Sequence, residues 1–180
     1  MEIAIGTPIG HLLQLDDAAA VLAGGYHGGW LPATAAAQLA FSNADLRGAG
    51  AFTGAGVLAA LPAGACGLAE TASIARYLAL ESAGQCGPCL NGLPRIAAAL
   101  AALARPAPAR EELANLRRWA GLVTGRGACH HPDGTVRLVS SALRVFAGEI
   151  SEHARGRCTA TRTTSFLPIP AAPAAESDWS

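Results

Sequence analysis

Ser82-Ala83-Gly84-Gln85-Cys86-Gly87-Pro88-Cys89-Leu90-Asn91-Gly92 is the stretch on which the reading of this chain turns. Two cysteines stand three positions apart in a Gly- and Pro-rich turn, with helical periodicity on either side. A third, Cys129, follows Cys89 by 40 positions, in a second Gly-rich turn, Gly125-Arg126-Gly127-Ala128-Cys129-His130-His131. Between the turns the pattern predicts a helical hairpin. Leu93, Ile96, Leu100 and Leu103 recur at spacings of three and four, one face of a helix. Pro94 suits a first helical turn, where its missing N–H has no partner to lose. Arg105-Pro106-Ala107-Pro108-Ala109 stops that helix. The second arm, Arg110 to Val123, carries Leu113, Leu116, Ala120 and Val123 on one face and stops at Gly125. Each arm is about 12 residues, roughly 18 Å at 1.5 Å per residue. Two equal antiparallel arms return the chain to its start, so Cys129 is expected beside Cys86 and Cys89.

Thiolate sulfur is a soft, charged ligand suited to iron–sulfur clusters and to zinc. Gly84 and Gly87 leave backbone N–H groups free to point at sulfur, and a helix starting after Cys89 favours negative charge there. Both kinds of site take four protein ligands as a rule. The candidates for a fourth are His130, His131 and Ser82, with Cys158 a remoter one beyond the last helix. Cys66 precedes a helix of about 15 residues, roughly 22 Å long, and is expected at the opposite end. The plainer readings stand beside these: metal-free thiols lining a bundle end, His130 and His131 capping the next helix with Asp133, and Glu81 as a polar bundle-end residue.

Around the hairpin the chain divides in two. Residues 66–156 read as a four-helix bundle. Leu68 to Ser82 supplies the entering helix, with Ile74, Tyr77 and Leu78 along one side. Asp133-Gly134-Thr135 opens the last one, whose stripe of Val136, Val139, Leu143, Phe146 and Ile150 is uninterrupted and ends at Gly156. Residues 1–62 read as a small mixed module. It contains a strand at Ile3-Ala4-Ile5, a short helix from Pro8 to Leu15 capped by Thr7, and a buried strand over Val57-Leu58-Ala59-Ala60-Leu61 before Pro62. Residues 157–180 read as a tail, mobile or lying along a partner. The fold class expected is α+β.

Hydrophobic residues make up 51% of the 180, much of it alanine, so the core should be helix-packed rather than aromatic-rich. Thirteen basic residues balance thirteen acidic ones, which leaves no electrostatic case for nucleic acid or an anionic membrane. Met1 to Ala23 lacks a basic start and apolar core, so no leader is expected. The apolar run Ile96 to Ala104 is far short of the about 20 residues that span a bilayer. Five cysteines in a cytoplasmic-looking chain point to metal or redox chemistry rather than a disulfide framework. The glycines of 24–29 and 54–56 do not follow a dinucleotide fingerprint, and a chain without lysine has no Walker P-loop. His11 and His27 stand alone and read as ordinary histidines.

Glu81 to Gly92 resembles the cluster-binding loop of the NADH-binding flavoprotein subunit of respiratory complex I and of its counterparts in NAD-linked hydrogenases and formate dehydrogenases. In that family the loop reads E-S-C-G-x-C-x-P-C-x-x-G, and a fourth cysteine about 40 residues on completes a four-iron, four-sulfur cluster. Cys86, Cys89 and Cys129 match the second, third and fourth ligands, whereas Ala83 stands in place of the first. The resemblance implies a β-grasp-like (soluble-ligand-binding) module over residues 3–61 and a helical cluster domain over 68–155. It also implies flavin mononucleotide and NADH sites on a fold upstream of that module, here expected on a separate chain.

With three thiolates, the cluster implied is a 3Fe-4S form, or a 4Fe-4S form with a non-cysteine ligand at one iron. Without flavin, this chain alone is not expected to oxidise NADH. The function expected is an electron-transfer module of an NADH:quinone oxidoreductase-like complex. It would work between a flavin-bearing NADH-oxidising protein and a ferredoxin-like one, in the cytoplasm or peripheral to a membrane through partners. The alternative is a clusterless, or zinc-stabilised, structural component of such a complex.

Overall fold

The computed structural model of the chain describes residues 2–4, 6–162 and 165–170. Its first part is built on strand β1 (Ala18–Ala23), which pairs antiparallel with β2 (Gly29–Pro32) on one side and β3 (Leu58–Pro62) on the other, giving the order β2-β1-β3. Leu22 stands opposite Trp30 and Ala59, and an irregularity between Ala18 and Ala20 shifts the β3 register. Side chains alternate across a strand, and here both faces are covered. Val21 and Ala23 face a small core with Ile9, Leu31, Ala36, Leu46 and Ala51, under the short helices α1 (Ala33–Gln38) and α2 (Asn43–Gly48). Ala20 and Leu22, with Trp30 and Leu61, face the larger core of the helical part. This buried-on-both-sides position explains why β1 is almost wholly apolar.

The helical part comprises α3 (Gly67–Leu80), α4 (Leu93–Leu103), α5 (Glu112–Val123), α6 (His131–Val145) and α7 (Ala147–Ala154). Contacts run from α3 to α4, α4 to α5, α5 to α6 and α6 back to α3, closing a four-helix ring. Helix α6 also lies against β2, so the sheet and the bundle share one core. Trp30 fixes this join. Its ring is fully buried and meets Phe146 edge-on at 5.2 Å, and its backbone N–H donates to Ser141 Oγ at 2.8 Å. Phe146 in turn lies so close over Gly67 that a Cβ there would run into its ring.

The α+β class and the order of a small β module before helices are as expected; several local expectations are corrected. Ile3 and Ala4 are not in a strand, and Ile5 lies outside the described residues. The helix expected from Pro8 to Leu15 is a single 3-10 turn, Ile9–His11, and the Thr7 hydroxyl donates back to Ala4 O at 2.7 Å instead of capping it. The single last helix is broken: Phe146 leaves helical geometry (φ −99°, ψ 27°), where its ring is wedged between Trp30 and Gly67, and α7 starts afresh. Among the described residues no helix is long and apolar enough to cross a membrane.

The segment after α7, expected to be mobile or partner-bound, folds back on its own chain over its described residues. Thr161 and Arg162 N–H both donate to Gly64 O at 3.0 Å. The buried Glu70 carboxylate then accepts from Ser165 Oγ at 3.0 Å, Phe166 N–H at 2.7 Å and Leu167 N–H at 3.2 Å. Residues 171–180 lie outside the described residues. Removing a buried acceptor leaves its donors without partners, and hydrogen bonds to a charged group contribute about 1.5–3 kcal/mol each. Glu70→Ala should therefore lower the unfolding free energy by about 2–3 kcal/mol, after partial relaxation to solvent. It should also make residues 157–170 the first site of limited proteolysis. Denaturant unfolding and peptide mapping test this, and an unchanged midpoint with an uncut tail would refute it.

Candidate metal centre

Helix α3 ends at Leu80, with Glu81 N–H closing the last turn on Tyr77 O at 2.9 Å. The chain then reverses at Gly84, whose φ of +64° is costly for any residue with a Cβ. Gln85 Nε2 donates across the turn to Ala83 O at 3.1 Å. From Pro88 to Gly92 the backbone makes one wide π turn that runs directly into α4, so Cys89 sits inside the first helical turn rather than before it. Pro88 begins that turn, where it loses no hydrogen bond. Such π turns occur often at functional sites. Cys89 is buried at 5% exposure, while Cys86 is half-buried.

The second turn arrives from the neighbouring arm. Gly92, where α4 begins, lies so close to Val123, where α5 ends, that a Cβ on it would collide with Val123 Cγ2. The arms, of 11 and 12 residues, are thus flush at this end. Gly125, with φ +70°, turns the chain, and its N–H donates to Asp133 Oδ1 at 2.8 Å. The turn then passes the cysteine pair. The backbone N–H groups of Ala128 and Cys89 lie near the Cys86 sulfur and lower its thiol pKa. Burial, then the Cys86 sulfur, raises that of Cys89; Cys129 adds to the rise, and a hydrogen bond with Ser82 opposes it. The Cys86 and Cys89 sulfurs are thus neighbours, and the exposed Cys129 is near enough for its charge to act on Cys89.

The candidate fourth ligands fall into different places. Ser82 is beside Cys89. His131 is committed elsewhere: its Nε2 lies 2.8 Å from Leu78 O and its ring stands edge-on to His27 at 4.9 Å. His130 is exposed just before α6, with no side-chain capping bond. Ala83 is exposed in the turn and offers no ligand atom. Cys158 lies at the opposite end, with Cys66 and His153. That second grouping escaped sequence reasoning, because Cys66 is separated from His153 by the whole bundle; the short spacing from His153 to Cys158 was its one local signal.

Three sulfurs, a buried site for one of them and N–H donors to another suit a cluster held by thiolates. A lone tetrahedral zinc is less well matched. With bonds of about 2.3 Å it needs sulfurs roughly 3.8 Å apart. Among the described residues, the ligand atoms that lie within 4.8 Å of one another in a set of three are those of Cys66, His153 and Cys158, not those of the cysteine turn.

A helical hairpin that returns a distant cysteine to a C-x-x-C turn defines a thiolate-bearing helical module. The family model for the NADH-ubiquinone oxidoreductase-F iron-sulfur binding region matches residues 64–153, half of the chain, and the chain belongs to that family. The F-type chain of NADH-quinone oxidoreductase from Buchnera aphidicola subsp. Acyrthosiphon pisum (strain APS) is 31% identical over 78 residues, 43% of this chain and 18% of that protein. Its counterpart from Buchnera aphidicola subsp. Schizaphis graminum (strain Sg) is 33% identical over 75 residues, 41% of this chain and 17% of that protein. The chain thus aligns with less than a fifth of the length of these relatives. Among solved structures, a chain of NAD+-reducing NiFe hydrogenase in the air-oxidized state shares the fold, with a TM-score of 0.70 and 22% identity over 94% of this chain and 28% of that one. The H2-reduced state gives a TM-score of 0.69 at 22% identity, over 84% of this chain and 26% of that one.

The two thiols of the turn should differ in chemistry. In reduced, metal-free protein, the rate of iodoacetamide labelling against pH should rise at a lower pH for Cys86 than for an ordinary cysteine. Cys89 should respond only at a higher pH, because burial disfavours its charged form. Peptide mapping reads both in one experiment, and equal midpoints would contradict the assigned N–H donors.

Proposed function

We propose that this chain holds an iron–sulfur cluster on Cys86, Cys89 and Cys129. It would pass single electrons between a separate flavin-bearing, NADH-oxidising protein and a ferredoxin-like partner. What supports this reading is a C-x-x-C turn near a cysteine returned by the α4–α5 hairpin, inside the stretch that matches the iron-sulfur binding region of the family. When bound, such a group supplies reversible one-electron chemistry. The residues around it have definable tasks. Ala128 and Cys89 N–H groups stabilise negative charge on the Cys86 sulfur. The buried position of Cys89 keeps water from one side of the site. Leu90, 62% exposed, and Leu122, 48% exposed, lie on the turn and on the end of α5 at this same end of the bundle, an apolar rim against which a partner chain can pack.

Ala83 favours a second reading, in which the chain has kept the family's fold as a clusterless structural component of the same kind of complex. In the first reading Ser82, hydrogen-bonded to Cys89, is the protein oxygen best placed beside the thiolates, and solvent is the other candidate ligand. In both readings we assign any flavin mononucleotide and NADH to a separate chain. A cytoplasmic setting, free or at a membrane surface through partners, fits both.

Iron and sulfide analysis with electron paramagnetic resonance on anaerobically purified protein separates the two. The cluster reading expects three or four irons with matching sulfide. Ala83→Cys, which supplies a fourth thiolate, should convert the resonance to that of a stable four-iron cluster and slow its loss in air at least several-fold. Absence of iron and sulfide from both proteins after reconstitution would leave the structural role as the function.

A further inference from the structure

We propose that Cys66, His153 and Cys158 form a zinc(II) site at the end of the bundle opposite the cysteine turn. Their three ligand atoms lie within 4.8 Å of one another, although they come from the start of α3, the end of α7 and the segment beyond it. The 14 residues of α3, about 21 Å of helix, separate Cys66 from the turn that holds Cys86. The grouping is therefore independent of the proposed cluster. Cys158 also falls outside the stretch that matches the family model, residues 64–153.

His153 is the strongest member. It is 1% exposed, and its Nδ1 lies 2.8 Å from Leu103 O. A carbonyl can only accept, so Nδ1 carries the proton and Nε2 keeps its lone pair. This is the arrangement found for metal-ligating histidines, in which the second nitrogen donates to a carbonyl and fixes the tautomer and ring plane. Nε2 lies 3.9 Å from the Cys66 sulfur. Two ligands on one tetrahedral zinc, with Zn–S of about 2.3 Å and Zn–N of about 2.05 Å, sit roughly 3.6 Å apart.

The Cys66 sulfur caps α3, accepting the Ala69 N–H at 3.4 Å, so a thiolate there faces the positive end of the helix. Its thiol also lies 3.3 Å from Glu149 Oε2, and that carboxylate is held by the Gly67 and Leu68 N–H groups, each at 3.2 Å.

Two thiolates and one neutral imidazole are a borderline-soft donor set, which suits zinc rather than magnesium or calcium. Binding forms two Zn–S bonds and one Zn–N bond. The two thiol protons leave to buffer, and no electron is transferred. The fourth position falls to solvent, or to Glu149 if its carboxylate turns from the α3 N–H groups. The site would tie the segment that follows α7 to the start of α3, beside the Thr161 and Arg162 bonds to Gly64.

The test uses the full chain carrying Cys86→Ser, Cys89→Ser and Cys129→Ser, purified reduced, so that the cysteine turn cannot bind metal. Dialysis against zinc, then metal analysis, should leave one zinc per chain. Cobalt(II) in its place should show thiolate-to-metal charge-transfer absorption. Adding Cys158→Ser, a change at an exposed position that the fold does not depend on, should weaken zinc binding by more than the roughly 10–100-fold that outer-shell changes cost. It should also abolish the rise in melting temperature that zinc produces in the parent. No zinc retained by the parent, or zinc retained equally with Cys158→Ser, would overturn the proposal. Neither result bears on iron at the cysteine turn, because that turn carries no thiol in either protein.

Discussion

Val123 lies over the bare Cα of Gly92, and this one contact sets the ends of α4 and α5 level. Everything at the cysteine turn depends on that level. Were the two arms offset by a single turn of helix, about 5.4 Å, the turn that carries Ala128 and Cys129 would be moved that far from Cys86 and Cys89. Gly92 is the first cause, since any side chain there would push α5 outward. The π turn is the second, because its extra width brings Cys89 inward to a buried position while Leu90 remains exposed. The geometry of the site is therefore a consequence of helix packing more than of the turn residues themselves.

The helices were legible because their apolar residues repeat every three or four positions over 11 residues or more, and the hairpin followed from two equal arms with a proline stop. The convergence of the cysteines was legible for the same reason. The elements that escaped are those whose form is decided by distant partners. Nothing local separates Gly29-Trp30-Leu31-Pro32 from a loop; it is a strand because β1 pairs with it and α6 covers it. The stripe through Phe146 continues perfectly in sequence, yet the helix breaks there, because the ring is needed between Trp30 and Gly67. His131 looked as free as His130, but a carbonyl at the end of α3 and the ring of His27 occupy it. The segment after α7 is polar and proline-bearing, as a tail should be, and it is held by Glu70, a carboxylate that sequence pattern alone gives no reason to bury.

The two ends of α3 present sulfur in opposite electrostatic settings. At Cys86, backbone N–H donors favour the thiolate before any metal arrives. At Cys66, burial and the Glu149 carboxylate favour the protonated thiol despite the helix N-terminus. The first setting suits a ligand whose charge must be tuned while electrons come and go, since hydrogen bonds to sulfur adjust the potential of iron–sulfur centres. In the second, a cation has to displace a firmly held proton.

Retention of the fold and retention of the cluster loop are separate matters in this chain. Small metal modules fold only with their metal, because their cores are too small. Here a single core runs from Trp30 and Leu61 through Leu68, Ile74, Ile96 and Leu116 to Leu138; of the cysteine turn, Cys89 belongs to it and Cys86 packs against it. Most of that packing makes no use of iron, and Ala83, exposed in the turn, removes none of it. Cys89 packs into that core, so its burial follows from packing, and the N–H groups beside Cys86 are what favours negative charge at the turn. For this reason the cluster reading rests on the surroundings of the sulfurs, and not on the survival of the helices around them.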